Sequence, residues 1–490
     1  MSRTCIKQQI DSAKETVIGA WEGMDSSLWE EIFAVASQKK PLPESLVAHL
    51  IDRCNHFQIV VEKDYLAYAR LAFTLVAIYH FSGVSQEKCT QDLQEVYAKL
   101  LCHQHPRSWQ LPYFYKVTIS YLMGRKVEEG AAHVVSKGIA LVEYGGHYPY
   151  MHLPHALYNA ELALLGMILG ITLHRAALVE SSIKIGEWVA ESLALGHPLW
   201  MQEETYDPAL LMQISRSLFA LILHSTPHEK IQKMYDSLQE SSAKNPLSAV
   251  FALLVKNIVA TPRSLSIQYN LDKRSEEENR YLGYVVHKDK SLSCYATVSG
   301  ARTGFAGIAK GSAQIISIGP HTLPLGDMSH YGIYRTPLLQ KTPFKDVSIQ
   351  KTQNQTLFSG WTGIVDGEAE HPRQGPLWLH VHFQAKDGAA CIQTMWMGEE
   401  NPAMYIALFV KGSKIIVDQK FHLHPSTLDR YQGSVAPLSI HGETTSLQVC
   451  AKASHSMQVI PLAGQGCFWG AEFLIAYALQ KEETLLLEIK

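Results

Sequence analysis

The chain has 490 residues, 47 % of them hydrophobic and only 18 % charged, with 23 histidines and a net charge of −3 with His neutral. That length is more than one core usually organises, so two domains are expected. The composition excludes an intrinsically disordered chain and a broadly basic nucleic-acid binder.

The N-terminus, Met-Ser-Arg-Thr-Cys-Ile-Lys-Gln-Gln-Ile, has no apolar core of the signal-peptide kind, so a cytoplasmic protein is expected, with signal-independent export left open. From there to residue 262 apolar residues recur at helical spacing. The expected helices cover residues 4–21, 25–38, 44–60, 63–82, 86–103, 110–123, 128–143, 153–171, 174–194, 207–224, 228–242 and 246–260. Pro154 and Pro246 suit first turns, Asn245 suits an N-cap, and Gly124 and Gly196 suit helix ends. The most apolar stretch, residues 162–173, is shorter than the roughly 20 residues needed to cross a bilayer. It is read as a buried helix, and no membrane span is expected.

Residues 263–280 form a charged linker, ending in Leu-Asp-Lys-Arg-Ser-Glu-Glu-Glu-Asn-Arg. From 281 to 490 the hydrophobic period becomes two. Short β-rich runs at 281–288, 312–318, 357–365, 377–386, 403–411 and 414–424 alternate with turns, of which Asp366-Gly367 and Asp387-Gly388 are hairpin signals. About fourteen strands are expected, in a large antiparallel β-sandwich. The fold class is α then β (multidomain α+β): an all-α helical-hairpin array or incomplete α/α toroid over 1–262, followed by the sandwich.

Three helix connections are long, at residues 103–115, 144–155 and 196–207. All three leave odd-numbered helices of the expected array, and in an up-down array that places them at one end. Long loops are where function collects. These carry Trp109, Tyr113, Tyr115, His147, Tyr148, His152, Trp200, Glu203, Glu204 and Tyr206. Aromatic rings offer flat faces for sugars, and His, Tyr and Glu offer acid–base capacity. The competing reading is that these rings only pack the loops down or dock the β-domain. His152, His155 and Asn159 share one side of a helix start, with Tyr158 and Glu161 beside them.

In the β-domain, Trp378, His380, His382 and Gln384 share one strand face, and His422 and His424 share another. Were these strands neighbours, four imidazoles could hold a divalent metal such as zinc. The alternative is a polar sheet face. The connection from 319 to 335 gathers His330, Tyr331 and Arg335, either as a lid or simply as an ordered loop. The eight cysteines form no CxxC pair and read as reduced thiols. The phosphate-loop, dinucleotide-binding, nucleophile-elbow and zincin motifs are absent from the sequence.

A helical-hairpin array followed by a large antiparallel β-domain resembles the chondroitin AC/hyaluronate-type and heparinase II/III-type polysaccharide lyases. The resemblance spans nearly the whole chain and rests on architecture, with no motif matched residue by residue. It implies a Tyr or His that removes the proton alpha to a uronate carboxylate. It also implies an Asn, Arg or His that neutralises that carboxylate, and a Tyr that protonates the leaving oxygen. His147, Tyr148, His152, Tyr158 and Asn159 are the catalytic candidates. Trp109, Tyr113, Tyr115, Trp200, Glu203, Glu204, Tyr206, His330, Tyr331 and Arg335 are the substrate-binding ones. The expected function is therefore a carbohydrate-active enzyme, with a polysaccharide lyase first and a glycoside hydrolase using Glu203, Glu204 or Asp207 second. The expected partner is a glycan, bound in an aromatic- and His-rich cleft between the two domains. The alternative is a non-catalytic glycan- or protein-binding scaffold or effector using the same face. The sequence leaves the oligomeric state open.

Overall fold

The computed structural model describes residues 48, 51–52, 54–57, 62–81, 86–102, 110–125, 149–150, 153–154, 156–194, 208–238, 245–260, 284–288, 292–297, 304–321, 340–342, 344–352, 354–365, 372–399, 403–427, 429–452, 454–462 and 471–490. The chain divides into two compact units. One takes in residues 1–151, 155–194 and 204–272; the other takes in 152–154, 195–203 and 273–490.

The helical unit contains α1 (Glu62–Phe81), α2 (Gln86–Asp92), α3 (Gln94–Cys102), α4 (Gln110–Leu122), α5 (Ala156–Thr172), α6 (Ala176–Ala194), α7 (Pro208–Ser225), α8 (Glu229–Ser237) and α9 (Pro246–Ala260). The helices expected at 4–21, 25–38 and 128–143, and the helix end at Gly196, lie outside the described residues. The single helix expected over 86–103 is two, broken at Leu93. Residues Leu153–Pro154 belong to a two-residue ribbon, β1 (Pro149–Tyr150) with β2 (Leu153–Pro154), so Pro154 precedes the helix rather than occupying its first turn.

The expected punctuation is otherwise realised. Asn245 caps α9 by accepting from the Leu247 N–H at 2.9 Å, with Pro246 as the first helical residue. Gly124 has a φ of 67°, and the Arg125 N–H reaches back to the Ser120 carbonyl at 3.0 Å, closing α4 in a Schellman motif. The same motif closes α5, where the Arg175 N–H meets the Gly170 carbonyl at 2.8 Å. There the left-handed residue is His174, with a φ of 53°.

Helix α5 is buried from Ala156 to Gly170 on every side, which explains why its sequence is apolar all round. Gly166 and Gly170 let α6 approach closely. A Cβ at Gly166 would collide with Ser182 Oγ, and one at Gly170 would lie 2.6 Å from Val179 Cγ2. Among the described residues no helix is long and apolar enough to cross a membrane.

The β unit contains β3 (Tyr284–Lys288), β4 (Ser293–Thr297), β5 (Ala306–Lys310), β6 (Ala313–His321), β7 (Gln340–Lys341), β8 (Lys345–Lys351), β9 (Gln355–Val365), β10 (Pro372–Lys386), β11 (Ala389–Met397) and β12 (Met404–Lys411). It continues with β13 (Lys414–Val417), β14 (Phe421–Leu423), β15 (Tyr431–Gly433), β16 (Leu438–His441), β17 (Ser446–Lys452), β18 (Met457–Pro461), β19 (Phe473–Leu479) and β20 (Leu485–Ile489). A ten-stranded sheet runs β14-β13-β16-β17-β20-β11-β10-β9-β7, with β8 also on β9; an eight-stranded sheet runs β15-β18-β19-β12-β6-β5-β4-β3. Alternate residues of both sheets meet in one core, including Leu379, Val381 and Phe383 of β10 with Ile406 and Leu408 of β12. Asp387 and Gly388, with φ of 51° and 75°, form the expected tight turn between β10 and β11. The Asp366-Gly367 signal lies outside the described residues.

One expected strand is a hairpin. Residues 414–424 fold as β13 and β14 because Asp418 and Gln419, at φ of 50° and 56°, reverse the chain. His424 lies beyond β14.

Candidate functional site

Helices α4 and α5 start at the same end of the helical unit. The Tyr158 hydroxyl accepts the Leu111 N–H at 3.0 Å, satisfying a first-turn donor that has no partner inside its own helix. Deeper in, three helices meet at a common level. Tyr115, Glu161 and Phe251 each lie five residues after the first residue of their helices, α4, α5 and α9 (110 to 115, 156 to 161, 246 to 251). Five residues are about 7.5 Å of helix. At that depth the Tyr115 hydroxyl donates to Glu161 Oε2 at 2.5 Å, and the Tyr115 ring lies 6.4 Å from that of Phe251. The two contacts between α4 and α5 run in the same order along both helices, so these two helices start at one end.

Arg70 of α1 completes this level. Its Nε and Nη2 donate to Glu161 Oε2 and Oε1 at 3.0 and 2.5 Å. The pair is buried: Arg70 is 6 % exposed and Glu161 0 %. Phe73 packs on both Tyr115 and Phe251, with ring centroids 5.2 and 5.0 Å away. Burial opposes the Arg70 charge, but the Glu161 carboxylate outweighs it and holds the guanidinium pKa above its ordinary value. Burial, and then Glu161, push the Tyr115 hydroxyl far above the usual phenol range, so it stays a donor. This is a closed charge cluster whose groups satisfy one another. Sequence reasoning missed Arg70, although a single cation in the run Tyr65-Leu-Ala-Tyr-Ala-Arg70-Leu-Ala-Phe73 signals a buried charge that needs a partner.

The structure thus moves several expected site residues into the interior. Tyr158 is 1 % and Asn159 0 % exposed, so a polymer substrate cannot touch either; Tyr158 serves as a cap on α4. Tyr115 lies within α4 rather than in a loop, and its hydroxyl is committed to Glu161. Tyr113 is half-buried in the first turns of α4, with Lys116 Nζ 5.9 Å from its ring centre. Trp109, His147, Tyr148, His152, His155, Trp200, Glu203, Glu204, Tyr206, Asp207, His330, Tyr331 and Arg335 lie outside the described residues.

The four-imidazole metal site requires adjacent strands, and the sheet order denies it. Strand β10, with His380 and His382, lies six strands from β14, with His422. At about 4.8 Å per strand that is roughly 29 Å along the sheet. Among the described residues no three His, Cys, Asp or Glu side chains gather as metal ligands. Cys54, Cys89 and Cys294 are buried, and burial raises the Cys89 pKa to about 11.

No protein-family model matches the chain, and no curated protein matches it. Solved structures do. One is heparan sulfate lyase HepC from Pedobacter heparinus (TM-score 0.44, 8 % identity, covering 94 % of this chain and 74 % of that one). Another is the Streptomyces coelicolor A3 chondroitin AC lyase in complex with chondroitin sulphate (TM-score 0.42, 8 % identity, 98 % and 82 %). A heparinase III is similar at a TM-score of 0.28 and 7 % identity, covering 89 % and 80 %. The resemblance expected from the order of helices and strands is thus found among solved structures, as a likeness of architecture.

Proposed function

We propose that this chain is a carbohydrate-active enzyme, a polysaccharide lyase that cleaves a uronic-acid polymer. The observation that carries the reading is architectural: a helical unit in which α4 and α5 start at one end, followed by a two-sheet antiparallel unit. Fold alone does not fix chemistry. The chemistry comes from the residue types in the segments entering those helices, which hold His147, Tyr148 and His152 before α5 and Trp109 before α4.

In the elimination, a base removes the proton alpha to the uronate carboxylate. The electron pair becomes a ring double bond as the bond to the leaving oxygen breaks. An acid returns a proton to that oxygen. His147, Tyr148 and His152 are the candidates for base and acid, His being suited to both near neutral pH. Trp109 and Tyr113, with Trp200 and Tyr206, would stack on sugar rings. Glu203 and Glu204, and His330, Tyr331 and Arg335, are further substrate contacts in this reading.

The test is incubation of the full chain with hyaluronan, chondroitin, polygalacturonate and alginate, watching for the absorbance of unsaturated uronate. Product on one of them, lost in His152→Ala with unchanged melting, supports the reading. No absorbance on any of the four removes it and leaves a binding protein.

A further inference from the structure

The outer face of the ten-stranded sheet carries a lattice of side chains whose register follows from the strand pairing, with one bulge in β8 between Lys345 and Ser348. One row crosses four strands: Lys345 of β8 is paired with Trp361 of β9, Trp361 with His380 of β10, and His380 with Met395 of β11. On one side lies Gly363, Trp378, Met397; on the other, Ser348, Ser359, His382, Gln393. Three strand spacings and two row spacings make a patch of about 14 by 14 Å, large enough for two or three pyranose rings.

The two indoles are diagonal neighbours on adjacent strands. The Trp378 ring passes close to Gly363, its Cζ3 3.7 Å from where a Cβ would stand, with the Thr342 side chain beside it at 3.4 Å. Trp361 rests on the His380 ring, with centroids 4.7 Å apart. Both indoles are half-buried, while Gln393, Met397 and Lys345 are exposed. Around the rings stand hydroxyl, amide and imidazole groups suited to sugar hydroxyls. The Lys345 ammonium lies 5.4 Å from the Trp378 ring centre. The three rows hold no carboxylate. Asp346 sits beside Lys345 in the bulge, outside the paired register, and Glu488, beyond β11, is ion-paired with Lys452 at 2.6 Å.

We propose that this face of β8–β11 is a binding platform for the pyranose rings of an acidic polysaccharide, stacked on Trp361 and Trp378 with Lys345 meeting its carboxylates. It is built on different residues from the proposed reaction site. Only the class of polymer rests on the lyase reading.

The experiment is electrophoresis of the full chain through gels containing hyaluronan, polygalacturonate or alginate, with dextran as the neutral control. At least one acidic polymer should retard the protein, and dextran should not. Trp378→Ala and Trp361→Leu, the second keeping apolar cover while removing the plane, should each weaken retardation about two- to tenfold with unchanged melting. Equal retardation by dextran overturns the acidic preference. No retardation by any acidic polymer, or Trp variants that melt and migrate like wild type, overturns the platform. Unsaturated product with unaltered Trp-variant binding sinks the platform and leaves the lyase reading. Polymer binding without product does the reverse.

Discussion

Replacing Glu161 by Ala removes the carboxylate that receives two Arg70 donors and the Tyr115 hydroxyl. Water cannot take its place readily, because Arg70 and Tyr115 are buried and Phe73 and Phe251 pack around the site. Removing one partner of a buried pair leaves the other charge uncompensated, at a cost of about 3–5 kcal/mol. For a unit of 150–250 residues each kcal/mol moves the midpoint by roughly 2–4 °C, so the helical signal should melt about 6–20 °C lower. Far-UV circular dichroism follows that signal separately from the β unit. The double variant Arg70→Leu with Glu161→Leu should recover most of the loss, since neither charge is then left alone. A Glu161→Ala protein that melts within about 1 kcal/mol of wild type would refute the reasoning, as would a double variant less stable than the single one.

Three further outcomes are expected. Tyr158→Phe takes the acceptor from the Leu111 N–H and should lower stability by about 1–2 kcal/mol in urea unfolding; if Tyr158 were a reacting group, turnover would collapse while stability held. His174→Gly places the residue best suited to a φ of 53° at the end of α5 and should raise the helical midpoint, by about 0.5–1 kcal/mol; a lower midpoint contradicts the assignment. Burial lowers the His321 pKa to about 4 from an unfolded 6.5, so its neutral form is the one the fold favours. The corresponding stability is present above about pH 6.5 and is lost as pH falls toward 4, in all about 3 kcal/mol. His321→Gln should flatten the stability profile of the β unit across that window, and an unchanged slope in acid titrations would count against the burial argument.

The parts of the fold legible in the sequence are those that local chemistry determines. Asn245-Pro246 starts α9 because an amide side chain can take a first-turn N–H and a proline has none to lose. Asp387-Gly388 turns β10 into β11 because both residues tolerate a positive φ. The failures have the same physical character. Residues 414–424 alternate like one strand, and nothing about Asp418 and Gln419 as a pair demands a reversal; it shows only in the pairing, where β13 lies between β16 and its own continuation β14. Strand order is a non-local property, so the proximity of two His-x-His runs could not be read from either run.

The helical end shows where loop-based reasoning overreaches. The Tyr158–Leu111 bond with the Tyr115–Glu161 contact shows α4 and α5 starting side by side. The spacing of residues 152, 155 and 159 then suggested one continuous polar side. But a helix start is a boundary in burial as well as in conformation. Within three residues of Ala156, Tyr158 and Asn159 are already in the interior, where a polar side chain survives only by satisfying a neighbour. Polar groups just inside an apolar helix therefore report the packing of that helix, as Arg70 does in α1. In the proposed reading, the groups that meet a substrate are those in the segments before the helix begins. His152→Ala and Tyr158→Phe should for that reason separate cleanly: the first losing turnover at constant stability, the second losing stability at near-constant turnover per folded molecule. If both lose stability together, the boundary between interior and reactive end lies further up the chain than Ala156, and the base must come from another segment.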